Sequence, residues 1–199
     1  FTFSFQIKRL METINAVRTM ATKKETMNIF GKDLHCIGDR LPLGNMSFAS
    51  THYLNGILSD EEFHLYSQTL ISGGPYMYPN VLFLRCSEEN ILKRIRKRNR
   101  NGECNYEISY LRKLDEMNHF IFLYLWCYEI VEVIPMDWNH IDLEEINNFH
   151  RVIRILKTFH WKDIENKEIT EIREYLKENL INLSHHQMIN IMDKLQKYI

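Results

Sequence analysis

Cysteines are few in this sequence, and their spacing matches none of the common metal-binding motifs. The 199 residues include four cysteines, with no CxxC or CxH pair among them. All but Cys104 lie in apolar runs, as reduced thiols in a protein core do. The histidines other than His52 show no metal-ligand spacing either, and we interpret them as structural. These features favour an intracellular protein.

Long hydrophobic runs and an excess of charge of one sign are also lacking. The longest apolar run, residues 120–128, is too short to cross a bilayer, and no secretory signal is visible. The formal net charge is −1, whereas a general nucleic-acid-binding protein is strongly basic. We therefore expect no membrane partner, and a nucleic-acid partner is disfavoured.

The sequence does contain enough apolar material for a folded core, with 45% hydrophobic residues. Three short apolar runs predict buried parallel strands, at residues 34–38, 81–86 and 131–136. Helical patterns lie between these runs, which predicts an α/β fold with a parallel sheet flanked by helices. The length and the lack of repeats predict a single domain over 1–199. From residue 141 onward the pattern predicts helices only.

Helix starts are marked by serine. Ser59 precedes acidic residues with a glutamate at the capping-box position, Ser87 precedes a similar start, and Ser184 precedes the last helical pattern. Apolar residues at helical spacing predict two further helices, over residues 5–22 and 107–128.

The densest charge cluster is a basic run at residues 93–100, where six of eight positions are Lys or Arg. It follows a predicted strand and helix, and Asn99 and Gly102 mark its end. A mobile loop with several arginines can close over a triphosphate, since each planar guanidinium meets two phosphate oxygens. The alternatives are a solvated helix face and a nucleic-acid patch, although no aromatic residue interleaves the run to stack on bases.

A second candidate is Asp39-Arg40, directly after the first predicted strand and followed by Pro42. The carboxyl ends of parallel strands face the ligand crevice in α/β folds. A carboxylate there can hold Mg²⁺ through water, and the arginine can meet a phosphate. The alternative is a strand-end Asp in a turn beside a surface Arg.

Three residues near the first two helices can recognise a flat ring. Gln6 offers an amide that can pair with a base edge. Phe48 and His52 are four residues apart, so they share a helix face and could sandwich and hydrogen-bond a ring. The alternatives are a capping or exposed Gln6, and an ordinary helix with a buried Phe48 and a surface His52.

The order and spacing of these motifs resemble the herpesvirus thymidine kinases, within the deoxynucleoside kinase family. The resemblance covers about residues 1–138 and rests on Phe5-Gln6, Asp39-Arg40-x-Pro42, Tyr53-Leu54-Asn55-Gly56 and Arg94…Lys97-Arg98-Asn99-Arg100-Asn101-Gly102-Glu103. It implies a fold of the P-loop kinase type, with a core over 1–140, a lid over 93–103 and a helical part over 141–199. It also implies phosphorylation of thymidine or a related deoxynucleoside at the 5′-hydroxyl, with ATP and Mg²⁺.

The resemblance also implies the residues that hold the base. Gln6 would pair with the thymine edge, and Phe48 would stack on the base. His52 falls where the herpesviral enzymes carry an arginine near the base. Arg9 falls where the family has an apolar residue on the other face of the base, a departure that could change base selectivity.

For the sugar and phosphates, the resemblance implies a second set of residues. Asp39 would order Mg²⁺, Arg40 would lie beside the 5′-hydroxyl and the phosphate, and Glu103 would hold the 3′-hydroxyl. The lid arginines would be Arg94, Arg98 and Arg100.

Family members begin with a strand and a G-x-x-x-x-G-K-[ST] loop that cradles phosphates, and this sequence lacks both. Gly31-Lys32-Asp33 is no substitute, because the preceding Gly and the Ser/Thr are absent. Two explanations follow: the chain is the C-terminal part of a longer polypeptide, or it is an inactive relative that serves as a viral structural or interaction protein. The resemblance further implies a homodimer in an infected host cell. The hypothesis of an inactive relative adds other viral proteins as partners and association with the virion.

Overall fold

The structure is a computed structural model that describes residues 3–29, 31, 42–73, 80–100, 106–139, 146–164 and 166–199, with the backbone alone for 146–149. The chain divides into two compact units, Phe1–Met77 and Tyr78–Ile199. The single domain over 1–199 stays a prediction.

The described part of the first unit consists of helices α1 (Phe3–Ile29), α2 (Pro42–Leu54) and α3 (Asp60–Ser72). The helix predicted over 5–22 is confirmed and extends further at its C-terminal end. The core of the first unit contains six buried apolar residues: Leu10, Ile14, Ala49, Leu58, Tyr66 and Leu70. The strand predicted at 34–38 lies outside the described residues.

The second unit contains a parallel two-stranded sheet. Its strands are β1 (Asn80–Arg85) and β2 (Glu132–Asp137), each within one residue of the prediction. Helices α4 (Glu88–Arg98) and α5 (Ile108–Cys127) lie between them in the chain, because parallel strands need a long crossover connection. The described residues therefore form a helix-rich α/β structure with a small parallel sheet, as predicted.

After β2, the described residues form helices only, as predicted. These are α6 (Ile146–Thr158), α7 (Trp161–Ile164), α8 (Lys167–Asn179) and α9 (His185–Gln196), with a 3₁₀ turn at Leu180–Asn182. The three predicted serine caps are confirmed at α3, α4 and α9, where each serine hydroxyl accepts a backbone N–H of the first turn.

Trp161 of α7 connects the later helices to the sheet and to α5. Trp161 is 2% exposed, and its Nε1 donates to the carbonyl oxygen of Val133 at 2.7 Å. Its ring meets Trp126 of α5 edge to face, with 5.4 Å between centroids. Strand β2, α5 and α7 thus share one aromatic core.

The cysteines of the described residues fit the prediction of reduced thiols. Cys127 is buried and Cys86 is half-buried, and both are free. Cys36 and Cys104 lie outside the described residues. None of the helices within the described ranges is long and apolar enough to span a membrane.

Candidate functional site

Helices α1 and α2 bring Gln6 and His52 together. Both side chains are buried, with 6% and 2% exposure, and Gln6 Nε2 lies 3.4 Å from His52 Nδ1. An amide NH₂ group can only donate, so Nδ1 accepts and the imidazole proton resides on Nε2. The alternatives of an exposed Gln6 and a surface His52 are therefore wrong.

The burial of this pair follows from helix periodicity. Gln6 shares the buried face of α1 with Leu10 and Ile14, at intervals of four residues. His52 lies on the buried face of α2, seven residues after Asn45, which donates to Thr13 Oγ1 at 2.9 Å. Sequence reasoning missed Asn45, although its spacing of seven residues from His52 places both polar side chains on the same face of α2.

The two residues predicted to flank a base differ in their surroundings. Phe48 lies one helical turn before His52 and is half-buried. Arg9 is exposed, with its guanidinium 5.6 Å from the centre of the Phe5 ring and 3.3 Å from Glu12. The Arg9 guanidinium thus contacts two neighbouring side chains on the surface of α1.

Helix α4 carries the basic run of the second unit. Acidic residues occupy its first turn and basic residues its last turn, which complements the helix dipole. Asn99 ends the helix in the left-handed conformation, with φ of 48°. The helix therefore contains residues 93–98 of the basic run, although the run was predicted to follow the helix.

Arg94 bridges the segments that follow the two strands. Its Nη2 donates to the carbonyl oxygen of Trp138 at 2.6 Å, and its Nη1 lies 3.4 Å from Cys86 Sγ. Cys86 directly follows β1, and Trp138 directly follows β2. Arg94 therefore stabilises the carboxyl ends of the sheet, and its role as a lid arginine stays a prediction.

The other residues predicted for the phosphates and the sugar are only partly described. Arg98 ends α4 and is exposed, and Arg100 is exposed just beyond the Asn99 cap. Asp39, Arg40 and Glu103 lie outside the described residues. Their roles, including Mg²⁺ binding by Asp39, stay predictions.

A cavity of about 610 Å³ opens at the carboxyl ends of β1 and β2. Asn139, on its wall, accepts from the Ser87 backbone N–H at 2.7 Å, and its own N–H groups reach Asp137 at 2.8 Å. Ligands of α/β folds bind at this edge of the sheet. Sequence reasoning applied that rule only to the strand at 34–38 and missed Asn139.

The family model for deoxynucleoside kinases matches residues 1–160. This chain belongs to the deoxynucleoside kinase family. It is also similar to the thymidine kinase of Saimiriine herpesvirus 2 (strain 11), with 30% identity over 97 residues. That match covers 48% of this chain and 18% of the viral protein, so the chain spans only part of its relative. The resemblance to herpesvirus thymidine kinases is confirmed.

The family match covers some of the structural elements and not others. It contains the Gln6–His52 pair, the sheet and the basic run on α4, and it ends before α8 and α9. The features that resemble the family thus lie in the matched part, and the last helices lie beyond it.

The buried His52 makes the stability of the folded chain depend on pH. Burial lowers the pKa of His52 below its ordinary value of 6.5. The unfolded chain then binds a proton more readily than the folded chain, so stability is full above pH 6.5 and falls as the pH drops below it. We expect the midpoint of thermal unfolding to fall more between pH 7.5 and pH 5.5 in the wild-type chain than in His52→Gln.

The exposed His64 serves as the matched control, because it also contacts a glutamine amide, Gln68, at 2.9 Å. His64→Gln shows how much of any change comes from removing a histidine as such. An identical pH dependence in His52→Gln and the wild type would contradict the assignment to His52.

Proposed function

We propose that the protein transfers the γ-phosphate of ATP, with Mg²⁺, to the 5′-hydroxyl of thymidine or a related deoxynucleoside. The observation that carries this proposal is the buried Gln6–His52 pair in a member of the deoxynucleoside kinase family. The similarity to a thymidine kinase supports a pyrimidine deoxynucleoside as substrate.

The geometry of the pair supports base recognition by Gln6. Its amide has two N–H donors and one carbonyl acceptor, and His52 accepts only one of the donors. The amide orientation is therefore set by His52, with one N–H and the carbonyl oxygen remaining for a base edge. Thymine presents a carbonyl oxygen beside an N–H, which is the complementary pattern.

The phosphate side of the proposal rests on the family and on the basic run. Arg98 and Arg100 are exposed at the end of α4, where they can approach a triphosphate. Arg40 and Glu103 would contact the 5′- and 3′-hydroxyl groups, and Asp39 would hold Mg²⁺ through water. By the same family relation, we propose a homodimer that acts in an infected host cell.

Gln6→Leu tests the base-recognition step, because leucine keeps the approximate size and removes the amide. In the full-length gene product, we expect kcat/KM for thymidine to fall about 5- to 150-fold, which corresponds to about 1–3 kcal/mol for a buried polar group left without its partner. Steady-state kinetics with ATP and thymidine measure this change, and circular dichroism checks the fold.

The matched control is Gln68→Leu, since Gln68 also contacts a histidine but is exposed. Its kcat/KM should equal that of the wild type. If the full-length product does not phosphorylate any deoxynucleoside, the proposed function is wrong; if Gln6→Leu is fully active, only the role of Gln6 is wrong.

A further inference from the structure

Three potential metal ligands converge on the wall of the cavity at the carboxyl ends of the strands. They are Asp115 and His119 of α5 and His185 of α9, and one donor atom of each lies within 4.8 Å of the other two. Asp115 Oδ2 lies 3.0 Å from His185 Nε2 and 3.4 Å from His119 Nδ1. No other such group occurs among the residues that the structure describes.

Local structure explains why these side chains meet. Asp115 and His119 are four residues apart on α5, so they share one face of the helix. His185 is the first residue of α9, directly after the Ser184 cap, and the capping box with Gln187 fixes the backbone there. Packing of α9 against α5 then brings His185 to the pair on α5.

His119 contributes a second, independent observation. Its Nδ1 lies 2.9 Å from the carbonyl oxygen of Asp115, and a carbonyl can only accept, so Nδ1 carries the proton. The lone pair is then on Nε2, which is buried and has no hydrogen-bond partner among the described residues. A metal-binding histidine is typically held in this way, with one ring N–H donating to a backbone carbonyl or carboxylate and the other nitrogen left for the metal.

We propose that Asp115, His119 and His185 bind a Zn²⁺ ion. Two imidazoles and one carboxylate form a nitrogen and oxygen ligand set that suits zinc, whereas Mg²⁺ prefers oxygen ligands alone. With bonds of about 2.0–2.2 Å, the ligand atoms of a tetrahedral zinc site lie about 3.3–3.6 Å apart. The Asp115 Oδ2–His185 Nε2 separation of 3.0 Å is near these values, and a ring nitrogen of His119 lies within 4.8 Å of both atoms. Side-chain movements that turn Nε2 of His119 toward the other two ligands complete the site.

Three protein ligands leave the fourth position of a tetrahedral ion open to the cavity. A water molecule or an anionic oxygen fills such a position. His185 lies beyond residues 1–160, the part matched by the family model, so the site goes beyond the proposed kinase function.

Zinc titration of the chelator-treated, nucleotide-free chain tests the proposal. Calorimetry should show one Zn²⁺ bound per chain, and Co²⁺ should give the visible absorption band of a tetrahedral site. The midpoint of thermal unfolding should rise with zinc concentration, because zinc binds the folded state. Excess Mg²⁺ should not displace the Zn²⁺.

His185→Asn and His119→Gln should each weaken zinc binding by at least about tenfold, the lower limit known even for the loss of an outer-shell partner. His160→Asn is the matched control, because His160 also faces a carboxylate, Glu132, at 3.8 Å. It should keep wild-type affinity. His185 lies at the start of a helix and is only half-buried, so His185→Asn decides the result if His119→Gln does not fold.

Two results would overturn the site. One is the absence of stoichiometric zinc binding by the wild-type chain. The other is equal zinc affinity in the wild type and His185→Asn, which would leave Asp115 and His185 as an ordinary ion pair.

Discussion

Arg98→Ala and Arg100→Ala, each made in the full-length gene product, should lower kcat for thymidine phosphorylation by about 10³-fold or more. The transferred phosphoryl group spreads negative charge over its oxygens, and a lid arginine stabilises that charge only in the transition state. Arg98 ends α4 and Arg100 follows the Asn99 cap, so both lie within the predicted lid over 93–103, at the end of the helix and just beyond it. Rapid-quench or steady-state kinetics at saturating ATP measure the effect.

Arg96→Ala is the matched control for this experiment. Arg96 is exposed on the same helix and carries the same charge, but it is two residues from Arg98 and therefore faces a different direction. Its kcat should be close to that of the wild type. An unchanged kcat in both Arg98→Ala and Arg100→Ala would remove the lid role, and an equal loss in Arg96→Ala would reduce it to a general effect of positive charge.

Trp161→Ala should lower the free energy of unfolding by about 3–5 kcal/mol. The side chain is 2% exposed, so its loss leaves a large cavity between β2 and α5. It also removes the hydrogen bond to the Val133 carbonyl and the edge-to-face contact with Trp126. Urea denaturation followed by far-ultraviolet circular dichroism measures the change.

Two variants separate the contributions at this position. Trp161→Phe keeps an aromatic ring and loses the indole N–H, so its loss of stability should be clearly smaller than that of Trp161→Ala. Ile181→Ala removes an apolar side chain that is 87% exposed and should change stability by less than about 0.5 kcal/mol. A change below about 1 kcal/mol in Trp161→Ala would show that this aromatic core does not stabilise the unit.

Features that depend on a few neighbouring residues could be predicted from the sequence. Strands β1 and β2 were located within one residue, because short apolar runs bounded by polar residues are typical of buried parallel strands. The serine caps at Ser59, Ser87 and Ser184 were also predicted, since a cap acts only on the first turn of its own helix.

The sequence motifs also indicated the family, which the match over residues 1–160 confirms. Motif order and spacing are properties of the chain itself, and they carry the resemblance without any knowledge of packing. The roles of Asp39, Arg40, Glu103 and the lid arginines stay predictions.

Partners that are distant in the chain could only be found in the tertiary structure. His52 was compatible with a surface position until the packing of α1 on α2 placed it against Gln6, 46 residues away. Arg94 was part of a charge run until its guanidinium was found 2.6 Å from the Trp138 carbonyl. Burial and pairing of a polar side chain depend on which helix face meets which neighbour, and local sequence does not contain that information.

The histidines show the same division most clearly. Asp115 and His119 are four residues apart, so they share a face of α5, although their spacing was interpreted as structural. Only the tertiary structure added His185, which is 70 residues from Asp115 and reaches it through the packing of α9 on α5. The proposed zinc site needs three donor atoms at one point, and the chain brings these atoms together only when it folds.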